Sequence, residues 1–219
     1  GKHRSKDVTR WRQNGINFVI NCEPDSFARA YDSVHGASVC AIGLSVDDVE
    51  ATMRRAEALH MSRFAQPIGP GELQIPSIRG IGGSLIYFMQ RGREQRVWDH
   101  EFVPIAVSSG EGAGLTRVDC IDQTMQYEEM LSWLLYYVAL FEMNKSPQAE
   151  VADPVGLVQF QALENADRSF RVTLNGSAAS ETLSARFLQG FMGAGVQHVA
   201  LATDDIFASV VQLRANGIK

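Results

Sequence analysis

The sequence lacks most of the features that mark a secreted, membrane-bound or nucleic-acid-binding protein. Its three cysteines are an odd number with no Cys-x-x-Cys pair, which argues against a disulfide framework or a zinc finger. No apolar run is long enough to cross a bilayer, and no signal peptide is recognisable. The net charge of −5, with scattered basic residues, argues against nucleic acid or anionic lipid as a partner. We therefore expect a cytoplasmic protein with reduced thiols.

Composition and length indicate a globular protein with a substantial core. Hydrophobic residues make up 45% of the 219 positions and charged residues 21%, which is ordinary for soluble domains. This length suits one large domain or two of about 100 residues each. The stretch 106–114, AVSSGEGAG, consists of small and polar residues without an anchoring aromatic side chain. We predict that it links two halves, 1–105 and 115–219.

The most informative feature that is present is an internal repeat. Residues 36–59 and 193–216 both open with Gly-Ala, continue as a short apolar strand, reach Asp-Asp and end as an amphipathic helix. A third segment, GLTRVDCIDQTMQYEEMLSWLL, has the same strand-then-helix order. When the three segments are aligned, one strand position holds Ala41, Cys120 and His198, at nearly equal intervals. The pattern indicates duplicated modules of which only some keep a ligand at that position.

Local signals predict individual elements within these modules. Asn14-Gly15 joins two alternating segments and is typical of a β-hairpin. In the first repeat, one of the paired aspartates is expected to cap a helix whose inner face carries Val49, Met53 and Ala56.

The helix of the third segment has one apolar stripe. Tyr127, Leu131, Leu134 and Val138 recur along it with helical spacing. We predict that this stripe packs into the core rather than binding a ligand.

The module order is strand, helix and three strands. By this count the first module lacks its opening strand and helix, and the last module lacks its final strands. Such modules would leave sheet edges bare. We therefore expect the 219 residues to be part of a longer protein.

Paired modules of this order resemble the vicinal oxygen chelate fold, an α+β fold in which two βαβββ modules form a curled sheet around a metal. The motif GVQHVAL resembles the second metal-ligand strand of 4-hydroxyphenylpyruvate dioxygenases. GLTRVDCID resembles the first ligand strand of this family, and LNGS (174–177) resembles its Asn-Glu-Pro segment. The resemblance covers nearly the whole chain and implies that 1–105 is the metal-free half and 115–219 the half with the metal site.

A narrower resemblance concerns bacterial two-part proteins. The stretches HRSKDVTRWRQ, INFVIN and SVCAIGLSVDD are similar to the dioxygenase-like C-terminal region of proteins whose N-terminal part is a 3-dehydroshikimate dehydratase of sugar-isomerase type. This resemblance implies a dehydratase domain in the same parent chain, a small-molecule carboxylate substrate and a role in aromatic acid catabolism through protocatechuate formation. We also expect a homo-oligomer.

The family resemblance further implies an Fe(II) site formed by two histidines and a glutamate. Three positions stay open there for a chelating 2-oxo acid and O2. On the positions of this chain, His198 matches the second histidine, Gln197 matches a glutamine that contacts substrate, and Asn175 matches an asparagine of the pocket. Another divalent metal is the alternative to Fe(II).

The chain also departs from the family pattern. Cys120 stands where the family has its first histidine, Gly176 stands where it usually has glutamate, and the glutamate ligand belongs to a strand beyond Lys219. Cys120 is either a thiolate ligand, which would favour zinc or change the redox behaviour of iron, or a small buried residue in a vacated site. His198 is either a ligand or a packed histidine on an apolar strand.

Two functional hypotheses follow from these residues. The first is a metal-dependent, 4-hydroxyphenylpyruvate dioxygenase-like oxidoreductase that acts on an aryl 2-oxo acid or a related carboxylate, and the GVQHVAL strand motivates it. The second is a non-catalytic or degenerate dioxygenase-like domain that supports the stability or assembly of a dehydratase part, and Cys120 motivates it.

Overall fold

The computed structural model describes residues 1–106 and 111–218. Within these residues, mixed β-sheets are covered by helices, as expected for an α+β protein. The predicted linker 106–114 includes positions 107–110, which lie outside the described residues. In the described part of the chain, no helix is long and apolar enough to cross a membrane.

The first half contributes two four-stranded sheets and three helices to the described structure. Its strands are β1 (Lys2–His3), β2 (Val8–Gln13), β3 (Ile16–Asn21), β4 (Ala41–Val46), β5 (Arg63–Phe64), β6 (Ser77–Arg79), β7 (Leu85–Gln90) and β8 (Phe102–Val103). Its helices are α1 (Phe27–His35), α2 (Val49–Ala58) and α3 (Glu94–Glu101), and Ile81–Gly83 forms a short 3₁₀ turn. The strand orders are β3-β2-β1-β8 and β4-β7-β6-β5.

The second half contributes a six-stranded sheet. Its strands are β9 (Leu115–Thr124), β10 (Asn144–Lys145), β11 (Ala149–Asp153), β12 (Gly156–Glu164), β13 (Arg171–Gly176) and β14 (Gly195–Thr203). Its helices are α4 (Met130–Phe141), α5 (Leu183–Phe191) and α6 (Ile206–Ala215). The order is β10-β12-β13-β9-β14, with β11 also paired to β12, so β9 lies between a parallel and an antiparallel neighbour.

The predicted hairpin is confirmed. Strands β2 and β3 pair antiparallel up to Gln13 opposite Ile16, which leaves Asn14 and Gly15 as a two-residue turn. Asn14 has a φ of 48°, a left-handed conformation that asparagine tolerates better than most residues.

The strand–helix repeat is also confirmed, and an aspartate caps the helix in both repeats. The Asp48 carboxylate accepts a hydrogen bond of 2.9 Å from the Ala51 N–H at the start of α2. The Asp205 carboxylate accepts one of 3.0 Å from the Ala208 N–H at the start of α6. In each repeat the second aspartate of the pair is therefore the N-cap, because its side chain satisfies an N–H that the helix leaves free.

One hydrophobic core joins the two halves. Met53 of α2 and Phe88 of β7 belong to the same buried cluster as Tyr137 of α4 and Leu174 of β13. The predicted inner face of α2 is confirmed, since Ala56 is fully buried in this cluster.

The predicted apolar stripe of α4 is wrong in part. Tyr127 lies in a 3₁₀ turn before the helix, and Leu131 is 66% exposed. The other two residues of the stripe are half-buried against the core, but the fully buried positions are Met130, Tyr137 and Leu140. Because nearly every residue of α4 is apolar, spacing alone does not select the face that packs.

Glu72 ties the start of the chain to the loop before β6. Its carboxylate accepts hydrogen bonds from Lys6 Nζ (2.6 Å), Ser5 Oγ (2.6 Å) and the Gly69 N–H (2.7 Å). Burial raises the pKa of Glu72, but these three donors outweigh it and lower the pKa to about 2. The ionised form of Glu72 is therefore the one that stabilises the fold.

We expect Glu72→Gln to lower the free energy of unfolding by roughly 1.5–3 kcal/mol at neutral pH, because hydrogen bonds to a charged acceptor are lost. The pKa of Glu72 is depressed in the folded chain, so its contribution is present above about pH 4.5 and disappears as pH falls towards about 2. Urea denaturation from pH 3 to pH 7 measures this. The exposed control Glu50→Gln should leave the free energy of unfolding nearly unchanged at any pH. A difference between Glu72→Gln and the parent that does not vary with pH would contradict the assignment.

Candidate functional site

The predicted site residues lie on one face of the second-half sheet. In the antiparallel β9–β14 pair, His198 lies opposite Asp122, and Cys120 lies opposite Ala200. Residues opposite each other share a face, and residues two apart on a strand share it as well. Cys120 and His198 are therefore on the same face but on a diagonal, with Asp122 as the direct partner of His198.

A β-bulge brings Gln197 to the same face. The register of β14 shifts between Val196 and His198, so Gln197 is the extra residue. The hydroxyl of Thr124, which is two residues beyond Asp122 on β9, lies within hydrogen-bond range of the Gln197 side-chain amide. The bulge thus lets two consecutive side chains, Gln197 and His198, face the same way.

Asn175 is the centre of a buried polar network at this face. Its Nδ2 donates to Asp122 Oδ1 (2.5 Å), and its Oδ1 accepts from Thr124 Oγ1 (2.7 Å) and from Ser184 Oγ (3.0 Å). Asp122 also accepts a 2.6 Å hydrogen bond from Thr173 Oγ1. Asn175 is 5% exposed, so this network fixes its side chain from both ends.

Cys120 is half-buried and carries a neutral thiol. Burial raises its pKa, and although a hydrogen bond with Thr173 and the charge of Arg171 oppose this, the pKa stays above its ordinary value. The thiolate is the form that ligates metals. A metal that bound Cys120 near neutral pH would therefore have to displace the thiol proton.

His198 is exposed and is the one ordinary metal ligand among the predicted residues. Within residues 1–106 and 111–218, no group of three or more histidine, cysteine or acidic side chains is arranged to hold a metal ion. In the first half, Ala41 occupies the corresponding strand position and offers no donor atom. At the two ligand positions that this chain contains, the donors are Cys120 and His198, rather than the two histidines of the two-histidine, one-carboxylate pattern of Fe(II) oxygenases.

The face contains functional candidates that sequence reasoning missed. Asp122 follows Cys120 by two residues and Thr173 precedes Asn175 by two, so the period of a strand could have placed both on the predicted face. Ser184 could not be found this way, because it belongs to α5, whose N-cap is Thr182. Packing of α5 against β13 and β14 brings its hydroxyl to Asn175.

The sequence and the fold of the chain are similar to those of known proteins. The family described as "Hydroxyphenylpyruvate dioxygenase, HPPD, N-terminal" matches residues 1–103. A 4-hydroxyphenylpyruvate dioxygenase from Pseudomonas aeruginosa is 31% identical over 220 residues, covering 100% of this chain and 62% of that protein.

The chain is 4-hydroxyphenylpyruvate dioxygenase-like and has the vicinal oxygen chelate fold.

The α+β fold predicted for this dioxygenase-like chain is thereby confirmed. A mutant of 4-hydroxymandelate synthase from Streptomyces coelicolor has the same fold, with a TM-score of 0.78, 20% identity, and coverage of 96% of this chain and 63% of that one.

The narrower resemblance is confirmed as well. A 3-dehydroshikimate dehydratase from Pseudomonas aeruginosa is 38% identical over 219 residues, covering 100% of this chain and 34% of that protein. A solved xylose isomerase-like TIM barrel/4-hydroxyphenylpyruvate dioxygenase fusion protein superposes with a TM-score of 0.80 at 35% identity, over 99% of this chain and 34% of that one. The dioxygenase-like chain thus spans about a third of these relatives.

Proposed function

We propose that the dioxygenase-like chain is a non-catalytic region of a two-part protein and that it supports the stability or assembly of a 3-dehydroshikimate dehydratase part. The observation that carries this proposal is Cys120. At the place where the family has its first histidine ligand lies a half-buried cysteine, which departs from the two histidines and one carboxylate typical of non-haem Fe(II) sites.

The hydrogen bonds of the site support the same proposal. Asp122, the acid opposite His198, already accepts from Thr173 and Asn175. The Asn175 oxygen is likewise engaged by Thr124 and by a hydroxyl of α5. A network satisfied by its own members stabilises the sheet and leaves few polar groups directed at a substrate.

The dehydratase partner is supported by similarity along the chain. Both the curated relative named 3-dehydroshikimate dehydratase and the solved fusion protein match over essentially all of the chain at 35% identity or more. In such a parent protein, the reaction would be the dehydration of 3-dehydroshikimate by the other part. The chemistry of that reaction would involve no residue of the chain described here.

Removing the dioxygenase-like region from the natural parent protein is the direct test. We expect the shortened protein to inactivate faster on heating or to change its oligomeric state, while its dehydratase turnover per folded molecule stays unchanged. Thermal inactivation and light scattering measure this. The point variant Cys120→Ala should leave both properties as in the parent. Unchanged stability and assembly after the deletion would overturn a supporting role.

One observation favours a second candidate, a metal-dependent oxidoreductase acting on an aryl 2-oxo acid. His198 is exposed, lies beside Gln197 at a bulge, and shares its face with Asn175. A bulge that turns two polar side chains to one face is common next to active sites. In this candidate His198 would hold the metal, and Gln197 and Asn175 would orient the carboxylate of the substrate.

Metal content separates the two candidates. For a non-catalytic region, we expect the parent protein purified without chelator to contain no metal that depends on His198, so that His198→Ala has the same content by plasma mass spectrometry. His60→Asn is the control, since His60 is an exposed histidine with a φ of 56° that asparagine tolerates. Near-stoichiometric iron that is lost in His198→Ala alone would favour the oxidoreductase.

A further inference from the structure

The proposed function has no use for an open cavity that is formed mainly by the first half. The cavity lies between the β2–β3 sheet, the β4–β7 sheet and α3, is also lined by residues of β9 and β13, and has a volume of about 2290 Å³. Small-molecule pockets usually measure about 300–1,000 Å³. A small ligand would therefore occupy only one end of this cavity, and the charges on the wall indicate which end.

Two arginines on the cavity wall lack the partners that the other basic residues have. Arg10 and Arg12 lie two apart on β2 and face the cavity together. In the described part of the chain neither has a carboxylate within 4 Å. By contrast, each of the other lysines and arginines on the wall has one: Lys6, Arg55, Arg63, Arg91, Arg117 and Arg171.

The guanidinium of Arg10 is held in a fixed orientation. Its Cζ lies 4.3 Å from the centre of the Trp98 ring. Its Nε and Nη2 donate to Asn17 Oδ1 at 2.9 Å and 2.6 Å. Among the described residues, these contacts leave both N–H groups of Nη1 and one of Nη2 free. The two terminal nitrogens, Nη1 and Nη2, can therefore donate in parallel to the two oxygens of a carboxylate.

Arg12 adds a second cation at the same place. Its Nε donates to the Asn14 carbonyl oxygen (3.1 Å), and among the described residues this leaves both terminal nitrogens of the guanidinium for a ligand. Burial lowers the pKa of Arg10 and the neighbouring charge of Arg12 lowers it further, while the charge of Asp99 partly opposes them. Asp99 forms no ion pair within 4 Å with either arginine among the described residues, so an anion held between the two guanidinium groups would relieve their repulsion.

The surroundings favour an anion with an organic body. Val19 lies directly opposite Arg10 on β3, lines the same cavity and is 47% exposed. The Trp98 ring packs against the guanidinium of Arg10. Apolar side chains next to a charged guanidinium suit a ligand with a carboxylate and a flat apolar group better than an inorganic ion.

We propose that this end of the cavity is a binding site for a small organic carboxylate, with Arg10 and Arg12 holding the carboxylate and Val19 and Trp98 flanking its apolar body. The site lies in the half of the chain that carries neither Cys120 nor His198. It is therefore independent of the metal question.

Calorimetric titration of benzoate into the natural full-length protein tests the proposal, with uncharged benzamide as the matched probe. We expect Arg10→Gln and Arg12→Gln each to weaken benzoate binding by at least about tenfold, and Arg10→Lys to weaken it as well because lysine has a single terminal nitrogen. Arg96→Gln removes an exposed arginine outside the cavity and should leave the affinity unchanged.

Two further measurements keep the outcome specific. His198→Ala should bind benzoate like the parent, which separates this site from the second-half face. Arg12→Gln should change the melting temperature little, because the exposed hydrogen bond to the Asn14 carbonyl oxygen that it loses is offset by relief of like-charge repulsion. The proposal is overturned if benzoate binds more weakly than about 10 mM, if binding survives Arg10→Gln, or if inorganic phosphate or benzamide competes as well as benzoate.

Discussion

Gly82→Ala is expected to lower the free energy of unfolding by about 3–5 kcal/mol. Gly82 has a φ of 59° in the 3₁₀ turn between β6 and β7, a conformation that costs an L-residue about 1–2 kcal/mol. A methyl group there would also overlap the carbonyl oxygen of Ala194 and lie 2.8 Å from its carbonyl carbon. Because backbone cannot rotate away as a side chain can, the two segments would have to separate.

The neighbouring residue provides a matched control for this prediction. Gly83 has a φ of 75°, and a methyl group built on it meets nothing within 4 Å. Gly83→Ala should therefore lower the free energy of unfolding by only about 1–2 kcal/mol, which is the cost of the left-handed backbone conformation for an L-residue. Urea denaturation of both variants measures the difference, and equal losses would show that contact with Ala194 contributes nothing.

The contact matters beyond stability, because Ala194 immediately precedes β14. The turn that contains Gly82 belongs to the first half, whereas β14 carries Gln197 and His198. A second contact acts in the same region: His35 Nδ1 lies 2.6 Å from the Phe191 carbonyl oxygen, and the two rings stack at 4.5 Å. The position of the candidate site therefore depends on packing between halves that are far apart in sequence.

The elements that could be predicted from sequence are those with local chemical signals. A two-residue Asn-Gly turn fixes a hairpin, and an aspartate before an apolar helix fixes its start, so β2–β3, α2 and α6 could be placed without tertiary information. The repeated strand position that holds Ala41, Cys120 and His198 could be found because duplication preserves spacing. The turn and cap signals act within a few residues, and the repeat requires only spacing along the chain.

The elements that could not be predicted depend on long-range packing. The short strand β8 pairs with β1 from the other end of the first half, and β1 pairs with β2 as well, so neither is recognisable from its own residues. In α4, an almost wholly apolar helix, the buried face is chosen by the sheet on which it packs. The pairing of His198 with Asp122 rather than Ile121 is set by the register shift at Gln197, which no spacing in the sequence reveals.

Asn175→Asp is expected to be the most damaging isosteric change at the candidate site, with a loss of roughly 2–4 kcal/mol at neutral pH. The substitution replaces the Nδ2 donor that contacts Asp122 Oδ1 at 2.5 Å with a second acceptor. The hydroxyls of Thr124 and Ser184 could still donate to the remaining oxygen. The loss therefore comes from two carboxylates in contact within a buried network.

The pH dependence of Asn175→Asp identifies this cause. A carboxyl beside a carboxylate has a higher pKa in the folded than in the unfolded chain, so the variant loses stability as pH rises through the ordinary carboxyl range near about 4. The loss is complete above the raised folded pKa. At lower pH the new carboxyl is protonated and can donate to Asp122, so parent and variant should converge.

Asn21→Asp is the control, because Asn21 is exposed and its Oδ1 accepts from the Glu23 N–H, a role that a carboxylate keeps. If urea midpoints of Asn175→Asp stay below the parent by the same amount at pH 4 and pH 8, lost packing rather than charge would be the cause, and the buried network would not be the electrostatic centre of this face.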